Sequence, residues 1–297
     1  MHQQLNATTK NTSSELSGDR LARVAISLMC LPGDERIGEA VQIFGAQGAI
    51  EQWRSGKGSR IACERVAGAL QQAKLVFESA QGRDISLLIP SDTQWPTQVD
   101  DLDTEAPIGL WLRGNLNLAQ VCMAATAIVG ARASTAYGQQ VAAEVGTAAA
   151  DYGHTVVSGA AFGIDAAAHR GALAAGGVTV AVLACGVDVA YPSAHQGLLN
   201  RIATDGLIVS EVPPGTTPRK NYFLVRNRII AALASQTVVV EAAVRSGALS
   251  TAHWAQDLGR VVWGVPGPIT SASSAGVHTE IHRGLMQLVP TVQHPFI

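Results

Sequence analysis

With 297 residues, 47% of them hydrophobic and only 15% charged, the chain can bury one large core and a small second one. It is too apolar for a solvated helical bundle and suits a buried parallel sheet. A formal charge of −2 excludes attraction of nucleic acid by a global field, so any such binding must come from a local patch.

The charge is uneven. Residues 1–118 carry 11 Lys/Arg against 14 Asp/Glu, net −3, and residues 119–297 carry 10 against 9, net +1. Cys30, Cys63, Cys122 and Cys185 are scattered with no Cys-x-x-Cys spacing, which argues against a zinc ribbon or disulfide framework. The start is polar with no secretory pattern, and no apolar run reaches the length of a membrane span, so a soluble, cytoplasmic protein is expected.

Residues 1–18, rich in Asn, Thr, Ser and Gln, are expected to form a disordered tail. A helical module follows over 19–82. Leu21, Val24, Ala25 and Leu28 recur at helical spacing, and Pro32-Gly33 breaks the pattern. Ile37, Ala40, Val41 and Phe44 repeat it, with Gly45 as a C-terminal cap, and Val66, Ala69, Leu70, Ala73 and Phe77 form a third stretch. The acidic balance of this module favours packing or partner binding over nucleic acid. From 83 to 290 the pattern changes. Apolar runs at 85–89, 110–112, 124–129, 155–157, 178–183, 207–209, 237–240 and 261–265 are predicted strands. Helical patterns lie between the later ones, at 135–151, 164–175, 194–203, 226–234 and 248–258, with a last helix at 276–288. Such alternation predicts a doubly wound, mostly parallel α/β sheet of extended Rossmann-like type. Residues 291–297 are expected to be a C-terminal tail.

In open α/β sheets the ligand crevice lies beyond the carboxyl ends of the strands. Those ends read Gly130-Ala131-Arg132, Ser158-Gly159-Ala160, Cys185-Gly186-Val187-Asp188, Ser210-Glu211, Glu241 with Ser246-Gly247, and Pro266-Gly267. Small residues let backbone amides approach a ligand, and helix starts on the same rim favour anions. Within ten residues, Arg219 to Arg228 hold Arg219, Lys220, Tyr222, Phe223, Arg226 and Arg228, and no acid occurs from Val212 to Val240. Cations interleaved with aromatics suit an unpaired polynucleotide, although a solvated basic loop gives the same composition.

Other chemistries fit less well. The turn Gly-Ala-Arg-Ala-Ser fails the Gly-x-Gly-x-x-Gly dinucleotide fingerprint, and no Walker loop occurs. His278 and His282 read as a helix-surface pair, since the metalloprotease order His-Glu-x-x-His is absent. Ser158, Asp165 and His169 lack a Gly-x-Ser-x-Gly elbow. Glu241 is the most enzyme-like acid, with capping or pairing to arginine as the alternative.

The run Ser158-Gly159-Ala160-Ala161-Phe162-Gly163-Ile164-Asp165-Ala166-Ala167-Ala168-His169 carries a resemblance. With Gly130-Ala131-Arg132, Tyr137-Gly138, Ala184-Cys185-Gly186-Val187-Asp188, Tyr191-Pro192, Ser210-Glu211-Val212-Pro213-Pro214-Gly215, Arg226-Asn227-Arg228, Glu241-Ala242 and Ser246-Gly247-Ala248-Leu249, it resembles the DNA-processing protein A family (DprA, also called Smf) over 85–289. The module at 19–82 is similar to that family's sterile-alpha-motif-like or helix-hairpin-helix-like domain. The resemblance implies a protein that binds single-stranded DNA, dimerises and hands the strand to the RecA recombinase in natural transformation. It implies no enzyme, cofactor or metal. Carried over, the nucleic-acid set is Arg132, Ser158, Gly159, Ala160, Phe162, Gly163, Lys220, Arg226, Asn227, Arg228, Ser246 and Gly247. Arg132 would hold a phosphate and the Ser158-Gly159 turn would offer amides. The Arg226-Asn227-Arg228 segment would line the groove or pair with Glu211 and Glu241.

Departures from the family pattern point to weaker DNA affinity. Phe162 stands where Lys or Arg is usual, Ala131 and Ala248 where Ser is usual, and Leu224 where Pro is usual. The winged-helix-like domain that follows in some members is not expected. The rival class is a nucleotide-recognising Rossmann-like enzyme of phosphoribohydrolase type using Glu241, although the Pro-Gly-Gly-x-Gly-Thr-x-x-Glu signature of such enzymes is missing. A third reading is a partner-binding scaffold with vestigial DNA affinity.

Overall fold

The computed structural model describes residues 18–57 and 60–297. The expected N-terminal tail lies outside the described residues except for Gly18, which opens the first helix. Three helices come first: α1 (Gly18–Met29), α2 (Glu35–Arg54) and α3 (Arg60–Gln81). Asp34 caps α2 by accepting the Arg36 N–H. Gly45, read from sequence as a helix end, is instead a break inside α2 at φ +69°, after which the helix resumes. That left-handed backbone is open to glycine without a Cβ penalty.

A nine-stranded sheet follows, with β1 (Ile85–Leu88), β2 (Leu110–Arg113), β3 (Ala125–Val129), β4 (Thr155–Ser158), β5 (Thr179–Val182), β6 (Leu207–Ser210), β7 (Gln236–Val239), β8 (Val261–Gly264) and β9 (Gln287–Leu288). The spatial order is β1-β2-β6-β5-β4-β3-β7-β8-β9. Strands β3 to β9 pair in parallel, while β1 and β2 form an antiparallel edge against β6. The connecting helices are α4 (Leu118–Val121), α5 (Ala136–Asp151), α6 (Ile164–Ala174), α7 (Gln196–Asp205), α8 (Lys220–Leu233), α9 (Ala248–Asp257) and α10 (Ala275–His282). This is the doubly wound, mostly parallel architecture read from the alternation of apolar runs and helical patterns.

Central strands are buried on both faces, so they read as continuous apolar runs. Successive residues still go to opposite layers. Ala127, Val129, Val157 and Val209 pack with α8 and α9. Ile128 and Val156 pack with α5 and α6, and Ile208 packs in the cluster holding α1, α2 and α3. Arg20 of α1 fixes the helical module to the antiparallel edge. It donates to the Leu87 carbonyl at 2.6 Å and pairs with Asp92 at 2.7 Å, both side chains buried. Residues 291–297, expected as a free tail, are docked. Pro295 is buried and its carbonyl accepts from Gln236 Nε2 at 2.7 Å, and the Phe296 ring stacks on Tyr152. Among the described residues no helix is long and apolar enough to cross a membrane.

Strand β3 has β4 on one side and β7 on the other. The connections therefore diverge between β3 and β7, and a crevice is expected beyond their carboxyl ends.

Candidate nucleic-acid interface

A crevice of about 290 Å³ opens at that point. Gly130 and Arg132 from the β3 end, Arg226 and Asn227 from α8, and Ser246 and Gly247 before α9 line it together. The β3 loop is pinned there by its backbone. Ala131 N–H donates to the Glu241 carbonyl at 2.7 Å, and the Ala131 carbonyl accepts from Ile164 at 3.2 Å. Gly163, at φ +78°, lies so close beneath that a Cβ would come within 2.6 Å of the Arg132 carbonyl. The Arg132 loop and the Ser158 turn are thus neighbours, as the sequence motifs imply. The Arg132 side chain is exposed, its guanidinium 4.7 Å from the Phe223 ring centroid. Phe223 and the exposed Leu224 also line the crevice. Neither belongs to the sequence-derived set, although both sit inside the basic–aromatic run that drew attention to α8.

Three parts of the sequence expectation are corrected. First, two amides of the Ser158 turn are taken by the fold. Asp165, at the start of α6, accepts the Gly159 N–H at 3.1 Å and the Ala161 N–H at 3.3 Å. Ser158, Gly159 and Ala160 are buried, and Ser158 Oγ donates to the Ile128 carbonyl at 2.6 Å. Second, Arg226 and Arg228 are buried rather than free surface cations, and Arg228 takes the pairing with Glu211 that stood as the alternative. Helix α8 begins at Lys220 rather than Arg226, which carries the Arg-Asn-Arg segment into its interior turns. Arg226 is 7% exposed and donates to the carbonyls of Gly159 and Val182. Arg228, 1% exposed, pairs with Glu211 at 2.6 Å and donates to the Glu105 carbonyl at 2.8 Å. Asn227 donates to the Gly247 carbonyl. Third, Glu241 does not pair with these arginines. It is 2% exposed and accepts the Thr135 N–H at 2.9 Å and the Thr135 hydroxyl at 2.6 Å. Thr135 is the N-cap of α5, so Glu241 occupies the mouth of that helix, where this fold usually seats a ligand phosphate.

The electrostatics follow from burial. Desolvation pushes the Arg226 guanidinium down to about 10, opposed by the charge of Asp165. It also pushes the Asp165 carboxyl up, opposed by Arg226 and the two amides. Both belong to the floor of the crevice. Cations free to meet a polyanion are the exposed Arg132, Arg219, Lys220 and Arg245. Among the described residues none of these four is in an ion pair. Phe162 is 48% exposed, edge-on to His195 with centroids 4.7 Å apart, which leaves half the ring available at the rim.

The Ser158, Asp165, His169 and His278 side chains each have a hydrogen-bond partner within the fold. Ser158 and Asp165 are committed as above, and His169 Nδ1 lies 2.7 Å from Thr179 Oγ1. His278 Nε2 accepts the Gly267 N–H at 3.2 Å.

Comparison with known proteins gives the family and the fold. The family model described as DNA recombination-mediator protein A matches residues 86–295. A Mycobacterium tuberculosis protein named as a DNA processing protein DprA is 42% identical over 271 residues, covering 87% of this chain and 70% of its own length. The X-ray structure of DNA processing protein A from Streptococcus pneumoniae superposes with a TM-score of 0.79 at 31% identity, covering 94% of this chain and 96% of its own. DNA processing protein A from Helicobacter pylori, described for its single-stranded DNA binding mode, gives a TM-score of 0.63 at 28% identity, over 71% of this chain and 94% of its own.

Proposed function

This chain belongs to the DNA recombination-mediator protein A (DprA/Smf) family, and from that premise we propose that it binds single-stranded DNA along the rim of the β3–β7 crevice. The observation that carries this is the exposed Arg132 guanidinium lying over the Phe223 ring in a crevice whose lining acid among the described residues, Asp165, is already satisfied by the fold. Cations then grip phosphates while exposed rings stack on bases. With the Gly159 and Ala161 amides held by Asp165, side chains supply most of the affinity, and little sequence preference is expected. Protection of the strand, its delivery to the RecA recombinase in natural transformation, and a homodimeric, cytoplasmic state complete the proposal. The family's description as a recombination mediator supports the delivery step.

Fluorescence anisotropy with single- and double-stranded oligonucleotides across a salt series tests the core of it. Four phosphate contacts give a slope of log affinity against log salt near about −2.8 for the single strand. Arg132→Ala weakens binding about tenfold. Equal affinity for both strand forms with a slope near zero would overturn the reading.

A further inference from the structure

On the far side of the α8 start lies a larger groove of about 1100 Å³, between α1–α2 and the 212–217 loop. Arg36, Lys57, Arg65 and Arg219 line it, and among the described residues Asp34 is the only acid that does. Asp34 is spent on Arg36, at 2.9 Å, so that pair contributes no net charge. Among the described residues Lys57, Arg65 and Arg219 are in no ion pair, and all three are exposed. Phe44, just before the Gly45 break, is 50% exposed on the same wall.

The first turn of α8 separates this groove from the crevice. Arg219 and Tyr222 line the groove while Phe223 and Leu224 line the crevice, within about one turn, or about 5.4 Å of rise. That turn carries Arg219 and Lys220 at a helix N-terminus, with no acidic residue and no side-chain cap. Cations there oppose the helix dipole, and an anion resting on the turn would relieve both.

We propose that the groove is the continuation of the DNA path: one single strand runs from Arg132 and Phe223, over the first turn of α8, to Lys57 and Arg65. Phe44 offers a stacking face at the far end. The proposal rests on the DNA-binding reading above and adds the helical module to it, contrary to the expectation from that module's acidic composition. Apart from Asp34 its described acids lie outside the groove lining, while Arg36, Lys57 and Arg65 lie in it.

The test compares oligothymidylates of about 5 and about 20 nucleotides, one confined to the crevice and one able to cross α8. Proteins are the full chain, Lys57→Ala/Arg65→Ala, Phe44→Ala and Arg132→Ala, each checked for an unchanged unfolding midpoint. For the long strand, the double variant loses about tenfold in affinity and its salt slope flattens by about 1.4, two contacts at about 0.7 each. Phe44→Ala also weakens the long strand, and short-strand binding is unchanged in both. Arg132→Ala weakens both lengths. If the double variant binds the long strand like the parent while Arg132→Ala does not, the path is wrong and the crevice reading stands. If the parent binds neither strand, the underlying reading fails first. Parental DNA binding by the double variant, combined with loss of polyglutamate binding, assigns the groove to an acidic polypeptide and overturns the proposal.

Discussion

Arg132 and Arg226 are the same residue type within one crevice, yet they answer different measurements. Arg226 is buried against carbonyls and beside Asp165. Arg226→Ala should therefore lower unfolding free energy by about 3–5 kcal/mol, because a buried carboxylate loses its counter-charge. Arg132→Ala, on the surface, should change stability by less than about 0.5 kcal/mol and act on DNA affinity alone. Urea titration set beside anisotropy separates the two. Phe162→Lys should tighten single-strand binding and steepen the salt slope by about 0.7; an unchanged slope would place that position off the path. His169 gives a pH signature. Thr179 Oγ1 donates to the Val156 carbonyl at 2.8 Å, so it accepts from His169 Nδ1–H, and the buried Nε2 has no partner. Burial, then the charges of His195, Arg226 and Arg170, push the imidazole down to about 3. The unfolded chain takes up a proton below about 6.5 while the folded one does not. This contribution to stability is complete above about pH 6.5 and is lost progressively as pH falls toward 3. Urea midpoints measured from pH 7.5 to 4.5 should show that fall, and His169→Gln should flatten it. Of the sequence-derived residues, Arg132, Arg226, Asn227, Ser246 and Gly247 line the crevice, but composition does not report burial. Placing the α8 start six residues late hid that Arg226 and Arg228 sit buried in interior turns.

At the level of elements, the succession of strands and helices along the chain and the small-residue turns were legible, because apolar runs and period-3.6 patterns are local. Which turns remain open to a ligand was not. Glu241 closes the mouth of α5 from 106 residues away in sequence, and no local pattern carries that pairing. Gly138, one helical turn inside α5, lacks a Cβ because one would strike the Glu241 carboxylate. Glu241→Ala should lower stability by about 1–3 kcal/mol through the orphaned Thr135 donors, with parental affinity for single-stranded DNA. A large loss of DNA binding without destabilisation would return Glu241 to a direct role. Gly45 shows the same limit on a smaller scale: a glycine signals a break in α2, but not that the chain turns back into helix beyond it.

Across the whole molecule, topology divides the chain near residue 82 but the apolar core does not. Val24, Ile26, Trp53 and Phe77 of the three leading helices share one buried cluster with Ile85, Leu87, Trp111 and Ile208 of the sheet. Calorimetry should accordingly show a single transition, with calorimetric and van't Hoff enthalpies in agreement. A chain starting at residue 83 should aggregate, because it bares Trp111 and its neighbours; a monodisperse, folded fragment would contradict this. The carboxylates of Glu241 and Asp165 also decide which small molecules the protein ignores. Free ATP and NAD compete for any open helix mouth in folds of this kind, but here the chain's own acids stopper the α5 mouth and the 159–161 turn. Free ATP or NAD should accordingly leave the unfolding midpoint unchanged, and a shift of several degrees would show a mouth still open.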